Sequence, residues 1–303
     1  MRSGVVPAVR TTGLGKRYGK LWALQECSIE VPQGRVSALV GPNGAGKTTL
    51  LKILAGLSAP SSGDAYVMGG IPGSDAAFLD SIGYLAQDIP LYRRLTAAEH
   101  VALCEQLNPV WDATGAHARL RALRVPMDRP VSTFSGGQRA ALALTLAIAK
   151  RPQVLLLDEP VAALDPLVRR TFLTALAEAV ADGGLTAVMS SHLLHDLERI
   201  SDHLILLSAA RTQLCGDIDD IVSNHRMLVG PRRKLPAARP GFEIVRATQT
   251  ERQTRLLVRT DAPVVDPEWN VTEVGLEDVV LAYMGVEEDK ISSGSLSSVG
   301  SER

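Results

Sequence analysis

No stretch of about 18 or more uncharged apolar residues occurs in this chain, so nothing in it reads as a membrane-spanning helix. The longest candidate, Ala140 to Ala149, is too short and contains Thr145. The first ten residues lack the apolar centre of a secretory signal. Cysteine is scarce: Cys27, Cys104 and Cys215 stand apart, without metal-ligand spacing, and suit a reducing compartment as small buried side chains. An excess of one charge is missing too. Thirty-two basic residues against thirty-three acidic ones leave a net charge of −1, so bulk electrostatics give no sign of a nucleic-acid partner. No internal repeat is found. What remains is a chain of 303 residues, expected to be soluble and long enough for one full domain and a smaller second unit.

The chain is organised around Gly41-Pro42-Asn43-Gly44-Ala45-Gly46-Lys47-Thr48-Thr49, which has the spacing G-x-x-x-x-G-K-[ST]. Val36 to Val40 before it reads as a buried strand. Leu50 to Leu57 after it reads as a helix closed by Gly56. In that setting the glycines let backbone N–H groups turn inward towards phosphate oxygens, and the helix N-terminus adds partial positive charge. Lys47 is expected to reach the β- and γ-phosphates, the Thr48 hydroxyl to hold Mg²⁺, and Thr49 to contact the α-phosphate.

Upstream, Leu24 to Val31 alternates and Pro32-Gln33-Gly34 makes a turn, which predicts a hairpin-like entry to the strand before the loop. Tyr18 either stacks on adenine or is a half-buried strand tyrosine. Gly63 to Gly70 and Ser81 to Gln87 read as strands, the second placing Gln87 at a carboxyl end where α/β sheets present groups to ligands. Thr96 with Glu99 forms a capping box that opens a mostly helical insertion. Phe134-Ser135-Gly136-Gly137-Gln138 precedes the next helix. Taken alone it is either an ordinary serine N-cap or a second anion site.

Gln153 to Leu157 is a continuous apolar run, expected of a central parallel strand, and it delivers Asp158-Glu159 at its end. Beside a phosphate loop, Asp158 suits Mg²⁺ and Glu159 suits the attacking water. Asp165-Pro166 starts a helix that Gly183-Gly184 ends. Leu185 to Met189 is a strand followed by Ser190, Ser191 and His192, and Leu204 to Leu207 is expected to be the last strand of the domain. The character changes near residue 222. Pro231, Arg232, Arg233, Lys234, Pro236 and Pro240 read as linker, with short strands following. Leu276, Val279, Val280 and Tyr283 form a helical stripe, with Gly285 after its end. Residues 291–303 are mostly Ser and Gly and are expected to be disordered.

In this order the segments resemble the ATP-binding subunit of an ABC transporter, over roughly residues 10 to 220. Gly41 to Thr48 matches Walker A, Gln87 the Q-loop, Phe134 to Gln138 the LSGGQ signature, and Val154 to Glu159 Walker B with its glutamate. Ala163-Leu164-Asp165 matches the D-loop, His192 the switch histidine, and Tyr18 the adenine-stacking aromatic. Phe134 replaces the usual leucine, and Ala162-Ala163 stand where many members carry serine. The tail around Leu276-Glu277-Asp278-Val279-Val280 is similar to extensions of drug- and antibiotic-exporter ATPases.

The resemblance implies an α/β P-loop NTPase fold with a parallel-sheet core, an antiparallel β subdomain and a helical subdomain, plus a small α+β extension. The implied domains are an ATPase domain over 10–222 (helical subdomain 96–150) and an accessory domain over 223–290. It further implies ATP and Mg²⁺ as cofactors, Mg²⁺ resting on Thr48, Gln87 and Asp158, and Glu159 as general base with His192 on the γ-phosphate. Ser135, Gly136, Gly137 and Gln138 would grip a nucleotide held by a second ATPase subunit. A transmembrane permease is the implied partner, with export the expected direction and the chain peripheral at the cytoplasmic face of the membrane. A soluble ABC ATPase acting on ribosomes or as a regulator is the alternative.

Overall fold

The computed structural model describes residues 6–162, 164–192, 194–233, 235 and 241–285. The chain divides after Cys215 into two units. The first opens with a hairpin of Val9–Tyr18 (β1) and Leu21–Val31 (β2), turned at Gly19-Lys20, where Gly19 adopts φ +60°. β1 also pairs antiparallel with Ser62–Val67 (β4). The strand between them in sequence, Val36–Val40 (β3), belongs to another sheet. The expected hairpin therefore lies one turn earlier than Pro32-Gln33-Gly34, which carries the chain from one sheet to the next instead of joining paired strands.

The second sheet holds β3, Ile82–Leu85 (β5), Val154–Asp158 (β6), Thr186–Ser191 (β7), His203–Ser208 (β8) and Arg211–Asp217 (β9), in the order β5-β6-β7-β3-β8-β9. Every residue of β3, β6, β7 and β8 is buried, which is why the middle of each segment reads as apolar rather than alternating. The pairs β5–β6, β6–β7, β7–β3 and β3–β8 are parallel. Their register aligns Leu85 with Leu157, Asp158 with Ser190, and Val40 with Ser191, so four strands end side by side on one edge.

β8 is not the last strand of this unit. β9 follows it after Ala209 and Ala210, both at positive φ (+46° and +62°). Alanine rarely takes that conformation, so the tight turn carries no glycine or asparagine signal to read.

The helices follow their end signals. Lys47–Leu54 (α1) runs from the glycine loop, and Ala76–Ser81 (α2) is capped by Asp75. Ala97–Leu107 (α3), Ala113–Ala122 (α4) and Gly136–Ala149 (α5) share a separate apolar cluster that includes Val101, Leu120, Val131, Phe134 and Leu142. Phe134 is only 4% exposed there, so it anchors the start of α5 as a leucine would. Pro166–Gly183 (α6) has Asp165 as its N-cap and Gly184 (φ +65°) as its C-cap, and Leu194–Glu198 (α7) follows β7.

The second unit begins with Ile218–Ser223 (α8) and contains His225–Pro231 (β10), Phe242–Gln249 (β11), Gln253–Thr260 (β12) and Asn270–Thr272 (β13). Their antiparallel order is β11-β12-β10-β13. One face carries the core Leu228, Phe242, Leu256, Val258 and Trp269. A helix over 276–285 (α9) buries Leu276, Val279, Val280 and Ala282, and its Tyr283 hydroxyl meets His225 Nε2 at 3.1 Å. Gly285 is still helical, so the helix runs beyond its expected end.

The linker reading also fails where it can be checked. Pro231 closes β10, an interior strand, and Arg233 stacks over Trp269 at 4.2 Å while pairing with Asp266 and Glu268. A proline- and arginine-rich composition looks like linker, but here the arginine is a fixed part of the unit. Lys234, Pro236, Pro240, Ala163 and the expected disordered tail lie outside the described residues.

Candidate functional site

The aligned strand ends open onto a cleft of about 580 Å³ lined by Tyr18, Ala23, Asn43 to Thr49, Gln87, Glu159, Ala162 and His192. The loop between β3 and α1 is built on three glycines at positive φ: Gly41 (+159°), Gly44 (+82°) and Gly46 (+103°). A Cβ on Gly41 would lie 2.2 Å from the Leu207 carbonyl oxygen, and one on Gly46 would lie 2.3 Å from that of Ala23. At these positions glycine is required by space as well as by conformation.

Lys47 is 7% exposed. Its Nζ donates to the Gly41 oxygen at 2.7 Å and the Pro42 oxygen at 3.2 Å, and stands 3.6 Å from Glu159 Oε1. The loop thus wraps its own ammonium group and holds it at the mouth of the helix. Thr48 and Thr49 begin α1 beside it.

Across the cleft, Asp158 is the last residue of β6 and is 1% exposed. Ser190, opposite it on β7, donates its hydroxyl to Asp158 Oδ1 at 2.9 Å and accepts the Glu159 N–H at 2.8 Å. Glu159 itself adopts φ +49°, an uncommon left-handed conformation for a glutamate. That turn aims its carboxylate back over the sheet edge, where Oε2 meets His192 Nδ1 at 2.8 Å. Lys47 and His192 therefore converge on one carboxylate, that of Glu159. Burial, followed by the negative charge of Asp158 and Asp88, pushes the Tyr84 phenol up to about 12.

The arrangement suits a magnesium nucleotide by its donor set. Among the described residues no cluster of three or more His, Cys, Asp or Glu side chains could hold a metal alone. One buried carboxylate with a nearby hydroxyl fits Mg²⁺, which binds through one or two protein ligands and draws the rest from substrate phosphates and water. The start of α1 at Lys47, with the Lys47 ammonium beside it, fits the phosphates. Tyr18 lines the cleft and is 52% exposed, with Lys16 Nζ 5.3 Å from its ring centroid.

The sequence-predicted residues fall into two places. Ser135, Gly137 and Gln138 line a different groove, of about 500 Å³, with Leu167 and Val168. Ser135 caps α5 in a capping box, accepting from Gln138 N at 3.2 Å while Gln138 Oε1 accepts from Ser135 N at 3.0 Å. A Cβ on Gly137 would lie 2.6 Å from Val168 Cγ1, so close packing of α5 on α6 calls for glycine here. Gly136 is the first residue of α5. These four residues stand at the start of α5, and none of them lines the Lys47 cleft.

Ser190 was not among the predicted site residues, nor was Arg169. Arg169 Nη1 donates to Asp196 Oδ2 at 2.9 Å, and Nη2 donates to the Leu164 oxygen at 3.1 Å. It thereby ties the segment after Glu159 to the helix after His192. Both contacts join residues distant in sequence or element, and only strand register and helix packing reveal them.

A family model described as ABC transporter matches residues 24–162. The sulfate/thiosulfate import ATP-binding protein CysA of Vibrio vulnificus is 33% identical over 232 residues, covering 72% of this chain and 66% of that protein. CysA 2 of Chromobacterium violaceum is 30% identical over 302 residues, covering 91% of this chain and 82% of its own. This chain belongs to the ATP-binding proteins of ABC transporters. It spans about two thirds or less of several of these relatives, as with the Vibrio protein (66%) and the Synechocystis one (60%). Among solved structures, an ATP-binding subunit of an ABC transporter superposes with a TM-score of 0.65 at 27% identity, covering 71% of this chain and 92% of that one. A bacterial ABC transporter cassette solved as a dimer gives 0.62 at 24%, covering 69% and 98%, and that likeness speaks for the fold alone. The ABC cassette fold, with its parallel core sheet, antiparallel β sheet and helical part, is the fold of the first unit here. Among the described residues no helix is long and apolar enough to cross a membrane.

Proposed function

We propose that this chain binds and hydrolyses ATP and energises a separate membrane-spanning transport partner. The observation that carries the reading is the convergence of Lys47, Glu159 and His192 at the end of the sheet, beside buried Asp158 and the glycine loop. In this reading the loop N–H groups and Lys47 bind the triphosphate, and Tyr18 stacks on the adenine. Asp158, Thr48 and Gln87 are the residues that would hold Mg²⁺, which supplies charge neutralisation on the phosphate oxygens. Glu159 orients the attacking water and takes its proton. His192 is held by the other face of that carboxylate and donates to the γ-phosphate, so its ring and the base are positioned by one hydrogen bond.

The signature residues Ser135, Gly136, Gly137 and Gln138 do not line this cleft, which supports a second ATPase subunit as partner. Two chains facing each other would bring the helix start of one to the nucleotide of the other. A permease is the second partner, and the chain would be peripheral to the membrane at its cytoplasmic face. The relatives named above are import proteins, so the export expected from the C-terminal helix is not carried into this proposal.

Lys47→Ala tests the site. Nucleotide binding by fluorescence titration should weaken at least tenfold, about the loss of one charged hydrogen-bonding group, and hydrolysis should disappear. Turnover near the wild-type rate would contradict the assignment.

A further inference from the structure

Gln87 lines the cleft two residues beyond the end of β5, and the chain must then cross to α3 and the helical part. The crossing segment is folded on itself: Ile89 N–H donates to the Ala86 oxygen at 3.1 Å, Ile89 sits at φ +47°, and Leu95 N–H donates to the Tyr92 oxygen at 3.1 Å. Leu91 packs against the apolar cluster shared by α3, α4 and α5. One side chain from α3 reaches back to this segment. His100, 3% exposed, accepts the Tyr92 backbone N–H on Nε2 at 3.0 Å. Its Nδ1 lies 2.8 Å from the Thr96 oxygen, which can only accept, so Nδ1 carries the proton. Both ring nitrogens are therefore committed, and the neutral Nδ1–H tautomer is the one that makes both bonds. The Tyr92 side chain itself is 66% exposed, so the tie runs through its backbone.

We infer that His100 is a positioning residue: its bond to the Tyr92 N–H fixes the segment that carries Gln87 to the helical part, and so sets where Gln87 stands in the cleft. The segment has no regular secondary structure of its own between β5 and α3. A buried acceptor at one defined point limits its freedom far more than an exposed contact would. The catalytic consequence rests on the ATPase reading above, whereas the tether itself does not.

Three substitutions separate the two ring nitrogens in the full-length chain. In His100→Gln the side-chain oxygen can reach the Nε2 position and keep an acceptor for Tyr92. In His100→Asn the amide can replace only the Nδ1 donor to Thr96. His100→Leu replaces neither. Amide exchange at Tyr92 should accelerate about tenfold or more in the Asn and Leu variants, as expected for loss of one buried hydrogen bond, and stay near wild type in Gln.

ATP turnover should follow the same order. Asn and Leu should lower kcat about tenfold with KM for ATP nearly unchanged, and Gln should restore most of it. Tyr92→Ala should leave both measurements near wild type, because the backbone N–H is retained. Unchanged Tyr92 exchange in His100→Leu would overturn the tether. A Gln variant as impaired as Leu would overturn the acceptor role, and activity that tracked melting temperature instead of Tyr92 protection would reduce His100 to a packing residue. A wild-type chain without ATP turnover would overturn the catalytic consequence and the ATPase reading, while the exchange data would still judge the tether.

Discussion

Gly44 and Gly46, two residues apart in sequence, are glycine for different reasons. Both have positive φ, but a Cβ on Gly44 meets nothing within 4 Å, whereas one on Gly46 would strike the Ala23 oxygen and the Leu24 side chain. Gly44→Ala should cost about 1 kcal/mol of stability, the usual strain of a left-handed alanine, and leave nucleotide affinity nearly intact. Gly46→Ala must move backbone, and should abolish nucleotide binding in the same titration. Equal effects from the two would mean that the loop does not bind as described.

Ser190→Ala removes a hydroxyl that serves Asp158 and Glu159 together. It should destabilise the chain by about 1–3 kcal/mol in urea unfolding, the usual cost of stranding buried polar groups, and slow hydrolysis more than it weakens ATP binding. At this scale the positions of the loop glycines, Lys47, Asp158 and Glu159 were legible because strand ends and glycine spacing announce them, whereas His192 was singled out only through the family resemblance. Ser190 was not, because its partners lie 31 and 32 residues away and meet it only through the β6–β7 register.

Helix ends were the most legible elements. Thr96 with Glu99 and Ser135 with Gln138 both form reciprocal capping boxes, and Asp165 accepts from Leu167 and Val168 N–H groups. These are local patterns, formed within four residues, so sequence alone can carry them. The turn at Ala209-Ala210 and the fixed role of Arg233 escaped because their causes are tertiary: an alanine conformation that packing must impose, and a guanidinium caught between Trp269 and two carboxylates.

In the second unit, His225 donates from Nδ1 to the Ile221 oxygen at 2.6 Å, and its Nε2 meets the Tyr283 hydroxyl. Burial, the largest cause, holds the His225 imidazole below its ordinary value of 6.5. The unfolded chain therefore takes up a proton before the folded one does. This group's contribution is fully present above pH about 6.5 and is lost as pH falls from there through the folded value. Urea unfolding followed by Trp269 fluorescence, with Trp22 and Trp111 replaced by Phe, should show stability falling below that pH. His225→Gln should flatten the dependence, and an unchanged slope would remove His225 as its cause.

At the scale of the whole molecule, every cleft residue belongs to the first unit, while β10 to β13 and α9 form a second unit with its own apolar core. A chain ending at Asp217, where β9 ends, should therefore bind ATP as the full chain does. A well-folded truncated chain that failed to bind would contradict that division. The central claim is that the Lys47 cleft hydrolyses ATP with Glu159 as its base, and that a second copy or a related subunit closes over it. Glu159→Gln keeps the size of the side chain and its capacity for hydrogen bonding but cannot take the water's proton. With hydrolysis blocked, bound ATP should also stabilise the closed dimer by mass action. The most direct measurement is phosphate release from saturating Mg-ATP by wild type and Glu159→Gln, with ATP affinity measured on the same samples. Release should fall by about a hundredfold or more while affinity holds or rises. A variant that releases phosphate at the wild-type rate would contradict the account.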